Sequence, residues 1–128
     1  MQQTATEDAR TAATIAAIER FNDAFNRHDV DGVMAAMTDD CVFEGTSPPD
    51  GQRFEGQAAV RAVWEGFFAG SPQAVFEAEE IFAAGDRCVV QWLYRWVGED
   101  GTPGHVRGVD LFQVRDGKVA AKLAYVKG

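Results

Sequence analysis

The sequence has only two cysteines and two histidines, and its 12 Lys and Arg are outnumbered by 20 Asp and Glu. Cys41 and Cys88 lie far apart within strand-like runs, at a spacing that fits neither a zinc pattern nor a redox motif. Both are therefore read as reduced, packed thiols. His28 and His105 are too few soft ligands for a structural zinc, and no clustered Asp/Asn loop suggests calcium, so neither metal nor cofactor is expected. A net charge of −8 and a pI near 4.6, with no Lys/Arg run, argue against nucleic acid as a partner. Residues 1–13 lack the apolar stretch of a leader, and no later run approaches the roughly 18 apolar residues of a membrane span. The expectation is a soluble, cytoplasmic protein without a membrane partner.

What is present is a chain of 128 residues, 46% hydrophobic, enough for one core. Residues 1–10 carry little to pack and are expected to form a disordered tail, leaving residues 11–128 as a single domain. From Thr11 the pattern becomes helical, with Ile15, Ile18, Phe21 and Phe25 on one face. Asp29 can cap a second helix with Val30, Val33, Met34 and Met37 in one stripe. A short strand is expected at Cys41–Glu44, followed by a loop rich in Gly, Ser and Pro. A third helix after Gly56 carries Val60, Val63, Trp64, Phe67 and Phe68, and stops at Gly70-Ser71-Pro72. Beyond Pro72, residues 73–84, 87–97, 105–114 and 118–126 read as strands divided by Gly- and Asp-rich turns. This order predicts an α+β fold, a cone-shaped barrel in which three N-terminal helices pack against a curved antiparallel sheet.

Alternation along residues 87–97 puts Cys88, Val90, Trp92, Tyr94 and Trp96 on one face and Val89, Gln91, Leu93, Arg95 and Val97 on the other. Both faces are largely apolar. One should meet the helices, and the other needs a second cover, most simply another copy of the chain; a homodimer through the sheet is expected. Arg95 and Arg107 fall on that outer face, as candidates for inter-subunit salt bridges, and Tyr125 is expected there too.

The last two strands hold the chemistry. Asp110 lies between Val109 and Leu111, and Lys122 between Ala121 and Leu123, so each charge points either to solvent or into a cavity. A two-residue Asp116-Gly117 loop would set Asp110 opposite Leu123. A three-residue loop with Gly117 in a bulge would set it opposite Lys122. The bulged loop is favoured because it lets the two charges meet on one face.

The segments Phe25-Asn-Arg-His-Asp-Val-Asp-Gly-Val-Met-Ala-Ala-Met-Thr-Asp-Asp-Cys-Val-Phe, Phe54-Glu-Gly-Gln and Gly108-Val-Asp-Leu-Phe-Gln-Val-Arg-Asp-Gly-Lys-Val resemble the SnoaL-like branch of the nuclear transport factor 2-like superfamily. That group includes ketosteroid isomerases, polyketide cyclases and limonene epoxide hydrolase. The resemblance implies that Asp110 matches the isomerases' deep strand aspartic acid. It also implies that their oxyanion tyrosine falls at Phe21 and their general base at Gly45, so two of three roles are empty. Glu44 beside Gly45 is expected to face outward, and Arg107 and Asp110, three apart on one strand, point to opposite faces.

The expected site is a small-molecule pocket inside the cone, lined by Phe21, Phe43, Trp64, Trp92, Tyr94, Phe112 and Val126, with Asp110 and Lys122 as its catalytic pair. The expected ligand is hydrophobic and cyclic. Burial alone would favour the neutral acid at Asp110, whereas Lys122 alongside would favour the carboxylate. The chemistry expected is cofactor-independent acid/base isomerisation or cyclisation of an enolisable ketone or polyketide-like substrate; the alternative is a non-catalytic dimeric ligand- or protein-binding module. His28 is read as structural and His105 as a solvated strand end.

Overall fold

The computed structural model describes the backbone of residues 2–127 and the side chains of residues 8–127. Three helices, α1 (Gln2–Asn26), α2 (Val30–Ala35) and α3 (Gln57–Gly70), pack against six strands: β1 (Met37–Glu44), β2 (Arg53–Glu55), β3 (Phe76–Ala84), β4 (Arg87–Val97), β5 (Pro103–Arg115) and β6 (Lys118–Val126). The α+β expectation holds, with two differences. The sheet, ordered β2-β1-β6-β5-β4-β3, is curved but unclosed, and it is mixed rather than purely antiparallel because β1 runs parallel to β6. A parallel neighbour needs a long crossover, which is the work of α3 and the β3–β5 meander.

α1 begins at Gln2 rather than near Thr11. Residues 2–10 are helical in backbone, since helix propensity does not require the apolar stripe that marks burial, and Met1 lies outside the described residues. The helix is stitched across the concave side of the sheet at two places. The Gly85 amide donates to Thr11 Oγ1 at 2.9 Å and Thr14 Oγ1 donates to the Gly85 carbonyl at 2.6 Å. At the other end Asn26 exchanges two 3.0 Å hydrogen bonds with the Phe76 backbone. Ile18 and Phe21, fully buried, face the sheet between these anchors.

His28, at φ 57°, reverses the chain between α1 and α2, its Nε2–H donating to the Ala74 carbonyl at 2.7 Å while the ring stacks on Phe68. Asp29 then caps α2 through the Gly32 amide, as its position suggested. Met37 lies in β1, not in α2: its apolar spacing continues the helical stripe, but the chain has already turned to pair with Val119. Gln57, at the start of α3, donates to the carbonyls of Met34, Met37 and Thr38 and so fixes α3 over that junction. The core runs from Ile18 and Phe21 through Val33, Met37, Cys41 and Val60 to Phe112 and Val119. Cys41 and Cys88 are both buried and unbridged.

Candidate functional site

The β5–β6 hairpin decides which charges enter the cone. Asp116 (φ 54°) and Gly117 (φ 74°) are both left-handed, the geometry of a two-residue turn, and Arg115 faces Lys118. The three-residue loop is therefore corrected. A two-residue turn alone would have sent Lys122 to the face opposite Asp110. Instead the register slips between Gln113 and Val114, which pair with Ala121 and Val119, so Ala120 is an extra residue in β6. Such a bulge restores the parity lost at the turn. Asp110 then faces Ala124 and Phe112 faces Lys122, leaving Asp110 and Lys122 as diagonal neighbours on the inner face. The expected meeting of the charges occurs, by a different register.

Lys122 Nζ lies 3.3 Å from Asp110 Oδ1, with side-chain exposures of 12% and 9%. The ammonium also sits 5.0 Å from the Phe43 ring centre, 5.6 Å from Trp64 and 5.8 Å from Phe25. Within about 6 Å a ring quadrupole attracts a cation, so one carboxylate and three aromatic rings surround the charge.

In front of this pair opens a cavity of about 330 Å³, walled by Phe25, Phe43, Val63, Trp64, Phe67, Phe76, Trp92, Tyr94, Val106, Ala124 and Val126, with Gly45 and Thr46 also against it. Asp110, Lys122 and Tyr94 are the only ionisable residues among those lining it. A second void of about 30 Å³ lies against the same pair, bounded by Phe21, Asn22, Phe25, Asn26, Phe76 and Trp92. The aromatic wall is continuous: Phe25 meets Trp64 edge-on at 5.2 Å and Phe76 at 5.8 Å, and Phe76 stacks on Tyr94 at 4.8 Å. Trp92 lies opposite Gly108, where a Cβ would run into the indole and the Tyr125 carbonyl. Glycine there lets a tryptophan lie flat across the strand.

Of the expected lining residues, Phe43, Trp64, Trp92, Tyr94 and Val126 border the large cavity. Phe21 borders only the small void. Phe112 is a correction: it is buried edge-on against Phe21 at 5.6 Å, beneath the cavity floor. The reading missed Phe25 and Phe67, whose helical spacing marked them as core. The cavity lies between helices and sheet, so one apolar stripe serves as both. Phe76, Val106 and Ala124 were missed for want of a face assignment in β3 and of the true register in β5–β6.

Residues outside the cavity are occupied elsewhere. Glu44 is held by Arg53 at 2.7 Å and by its strand parity faces away. Arg107 grips Glu79 through two hydrogen bonds, 2.9 and 3.2 Å, and Arg95 lies 3.7 Å from Glu77, so both arginines have partners within the chain. The Arg107 hydrogen bond holds the Glu79 carboxyl below the usual carboxylate range. Burial pushes the Cys88 thiol up to about 11. Tyr125 and His105 are exposed. Among the described residues no group of three His, Cys, Asp or Glu could hold a metal ion, and no helix is long and apolar enough to cross a membrane.

No curated protein matches the chain. Among solved structures, an NTF2-like protein of unknown function from Mesorhizobium loti is 39% identical, with a TM-score of 0.79 over 93% of this chain and 94% of that one. A protein provisionally described as a SnoaL-like polyketide cyclase, from Jannaschia sp. CCS1, is 22% identical, with a TM-score of 0.78 over 91% and 87%. An LEH-like epoxide hydrolase from M. tuberculosis is 23% identical, with a TM-score of 0.72 over 91% and 84%. At these last two identities the likeness concerns the fold. Residues 18–122 match the SnoaL-like domain family, most of the folded chain and every strand but the end of β6, and the chain belongs to that family.

Proposed function

We propose that the cavity binds a small hydrophobic, cyclic ketone and that Asp110 and Lys122 catalyse a cofactor-independent proton transfer on it, of the isomerase or cyclase type. The observation that carries this reading is the 3.3 Å Asp110–Lys122 pair at the back of an aromatic cavity. Asp110, which lines the cavity beside Lys122, is the carboxylate placed to act as base. It takes a proton from the carbon beside the ligand carbonyl, and the C–H electrons pass into an enolate whose oxygen charge is opposed by Lys122 Nζ. The neutral Asp110 then returns the proton to another carbon of the conjugated system, so a double bond moves and nothing is oxidised or reduced.

A second reading, a non-catalytic dimeric module that binds a ligand or a protein, is supported by the two isomerase roles left empty. Gly45 borders the cavity without a side chain, and Phe21 is buried hydrocarbon. Dimerisation is proposed under either reading. The outer face of the sheet exposes Phe82, Leu111 and Tyr125 around half-buried Val109 and Leu123, a surface suited to a second copy.

The test is α-proton exchange of 1-tetralone in D₂O and conversion of 3-cyclohexen-1-one to its conjugated isomer, both followed by NMR. Wild type should accelerate both. Asp110→Asn should lower the rate by about 100-fold or more while 1-tetralone still binds. Binding without acceleration by wild type would establish the module instead.

A further inference from the structure

The void of about 30 Å³ against the Asp110–Lys122 pair runs beneath α1 from the edge of the sheet. Its floor steps across four neighbouring strands, from Ala78 of β3 through Trp92 of β4 and Asp110 of β5 to Lys122 of β6, and its roof is the Asn22 and Asn26 face of α1. β3 ends the sheet on that side and Ala78 is exposed, so the outer end of the void meets solvent. Its size is roughly the volume that one water takes in the liquid, too small for the ligand that the larger cavity would hold. Polar groups with unused hydrogen-bonding capacity converge on it. Asp110 Oδ1 accepts from Lys122, while Oδ2 has no donor among the described residues. Oδ2 is nevertheless not sealed: among the described residues the side-chain nitrogen and oxygen atoms both buried and without a partner are the indole nitrogens of Trp64 and Trp92, which leaves Oδ2 within reach of water. The half-buried Asn22 amide bounds the same void and has no partner among the described residues. Lys122 has ammonium protons beyond the one it gives to Asp110.

We infer that this void seats a water molecule on Asp110, Lys122 and the Asn22 amide, and that the water carries protons between Asp110 and bulk solvent while a ligand fills the larger cavity. A buried water typically makes about three such hydrogen bonds. The inference rests on the proposed proton transfer at Asp110. A ligand in the larger cavity covers the pair from the front, so without a second route the proton that Asp110 takes can only return to the ligand. With the route, the protonated carboxyl gives that proton to the water as the water releases one of its own past Ala78 to solvent; the reverse passage brings a solvent proton to Asp110. Only O–H bonds form and break, so a ligand hydrogen is traded for a solvent hydrogen and nothing is oxidised or reduced. The two test reactions therefore separate. Exchange at the α-carbon of 1-tetralone needs a solvent hydrogen at each turnover, whereas isomerisation needs only the same proton returned to another carbon.

The experiment converts 3-cyclohexen-1-one in D₂O and reads the hydrogen isotope at the γ-carbon of the conjugated product by NMR, with the uncatalysed conversion subtracted. Product made by wild type should carry deuterium there in nearly every molecule. Ala78→Leu, which fills the outer end of the void from an exposed strand position, should raise the retained protium several-fold and slow α-proton exchange of 1-tetralone by a similar factor, with the isomerisation rate little changed. Asn22→Leu, which removes the amide, should move both readings in the same direction. A crystal structure of wild type with 1-tetralone gives a reading that needs no variant to fold: an ordered water should lie within hydrogen-bond distance of both Asp110 and Asn22. Protium retained by wild type, full deuterium label in both variants, or a dry void in that crystal would overturn the inference and leave the acid/base reading standing. No conversion by wild type would overturn the catalytic reading and this inference with it.

Discussion

Two ion pairs involve the same strand, β5, from opposite faces. Arg107 and Glu79, on the outside, form a forked pair with two hydrogen bonds and side-chain exposures of 44% and 30%. Asp110 and Lys122, on the inside, meet at one point at 3.3 Å and are almost fully buried. The better geometry is where water already screens the charges, and the poorer geometry is where desolvation is greatest. A buried pair held by a single long contact is a weak device for stability, because hydrophobic residues of similar volume often replace such pairs at no loss. The inner pair is therefore better understood as serving the cavity, and the outer one as fastening β3 and β5 over the outside of β4.

The largest expected effect comes from breaking the inner pair on one side. Asp110→Leu leaves the Lys122 ammonium buried with only rings for company and should cost about 3–5 kcal/mol, read as a fall in the urea midpoint. Next is the support of the cavity wall. Gly108→Ala forces the Trp92 indole or the Tyr125 carbonyl to move and should cost about 1–3 kcal/mol, with altered near-ultraviolet circular dichroism. Gly104→Ala, where a Cβ would meet the exposed Trp96 instead, should cost less because that ring can swing into solvent.

Confined to alkaline pH is the contribution of Cys88. Its thiol titrates near 9.0 when unfolded and at about 11 when folded. The folded state thus holds the proton more tightly, and this stabilisation is complete below pH 9.0 and is lost as pH rises toward 11. Cys88→Val should flatten that alkaline decline, and the wild-type thiol should resist iodoacetamide at pH 8 until urea unfolds the chain. The outer pair should give the smallest change. Glu79 has its carboxyl lowered from 4.5 by Arg107, so its contribution is present above pH 4.5 and lost as pH falls below it. Glu79→Gln should remove only a shallow acid-side slope from the unfolding midpoint, and a loss as large as that of Asp110→Leu would erase the contrast between the two faces.

The contrast was partly legible in the sequence. The boundaries of β4 and β6 follow from apolar alternation between turn residues, and the odd charges at positions 110 and 122 stand out in apolar runs. Local signals failed where pairing is set at long range. Nothing in Met37 announces that the chain will turn to lie parallel to β6. The bulge at Ala120 sits in Val-Ala-Ala, where small side chains give no indication of face, and only the turn geometry together with the pairing of Gln113 reveals it. The ties from Thr11, Thr14 and Asn26 to the sheet were equally silent, because polar residues on a helix ordinarily face water. The unpartnered indoles could not be foreseen either, since a tryptophan's donor is satisfied or not by neighbours remote in sequence.

The most direct test of the central claim is to replace both inner charges at once, with Asp110→Leu and Lys122→Met, and to measure urea unfolding and 1-tetralone binding on the same preparation. A pair kept for the cavity should leave stability equal to wild type or higher while ketone affinity and α-proton exchange are lost. A double variant as unstable as Asp110→Leu alone, or one that binds and exchanges the ketone as wild type does, would contradict the account.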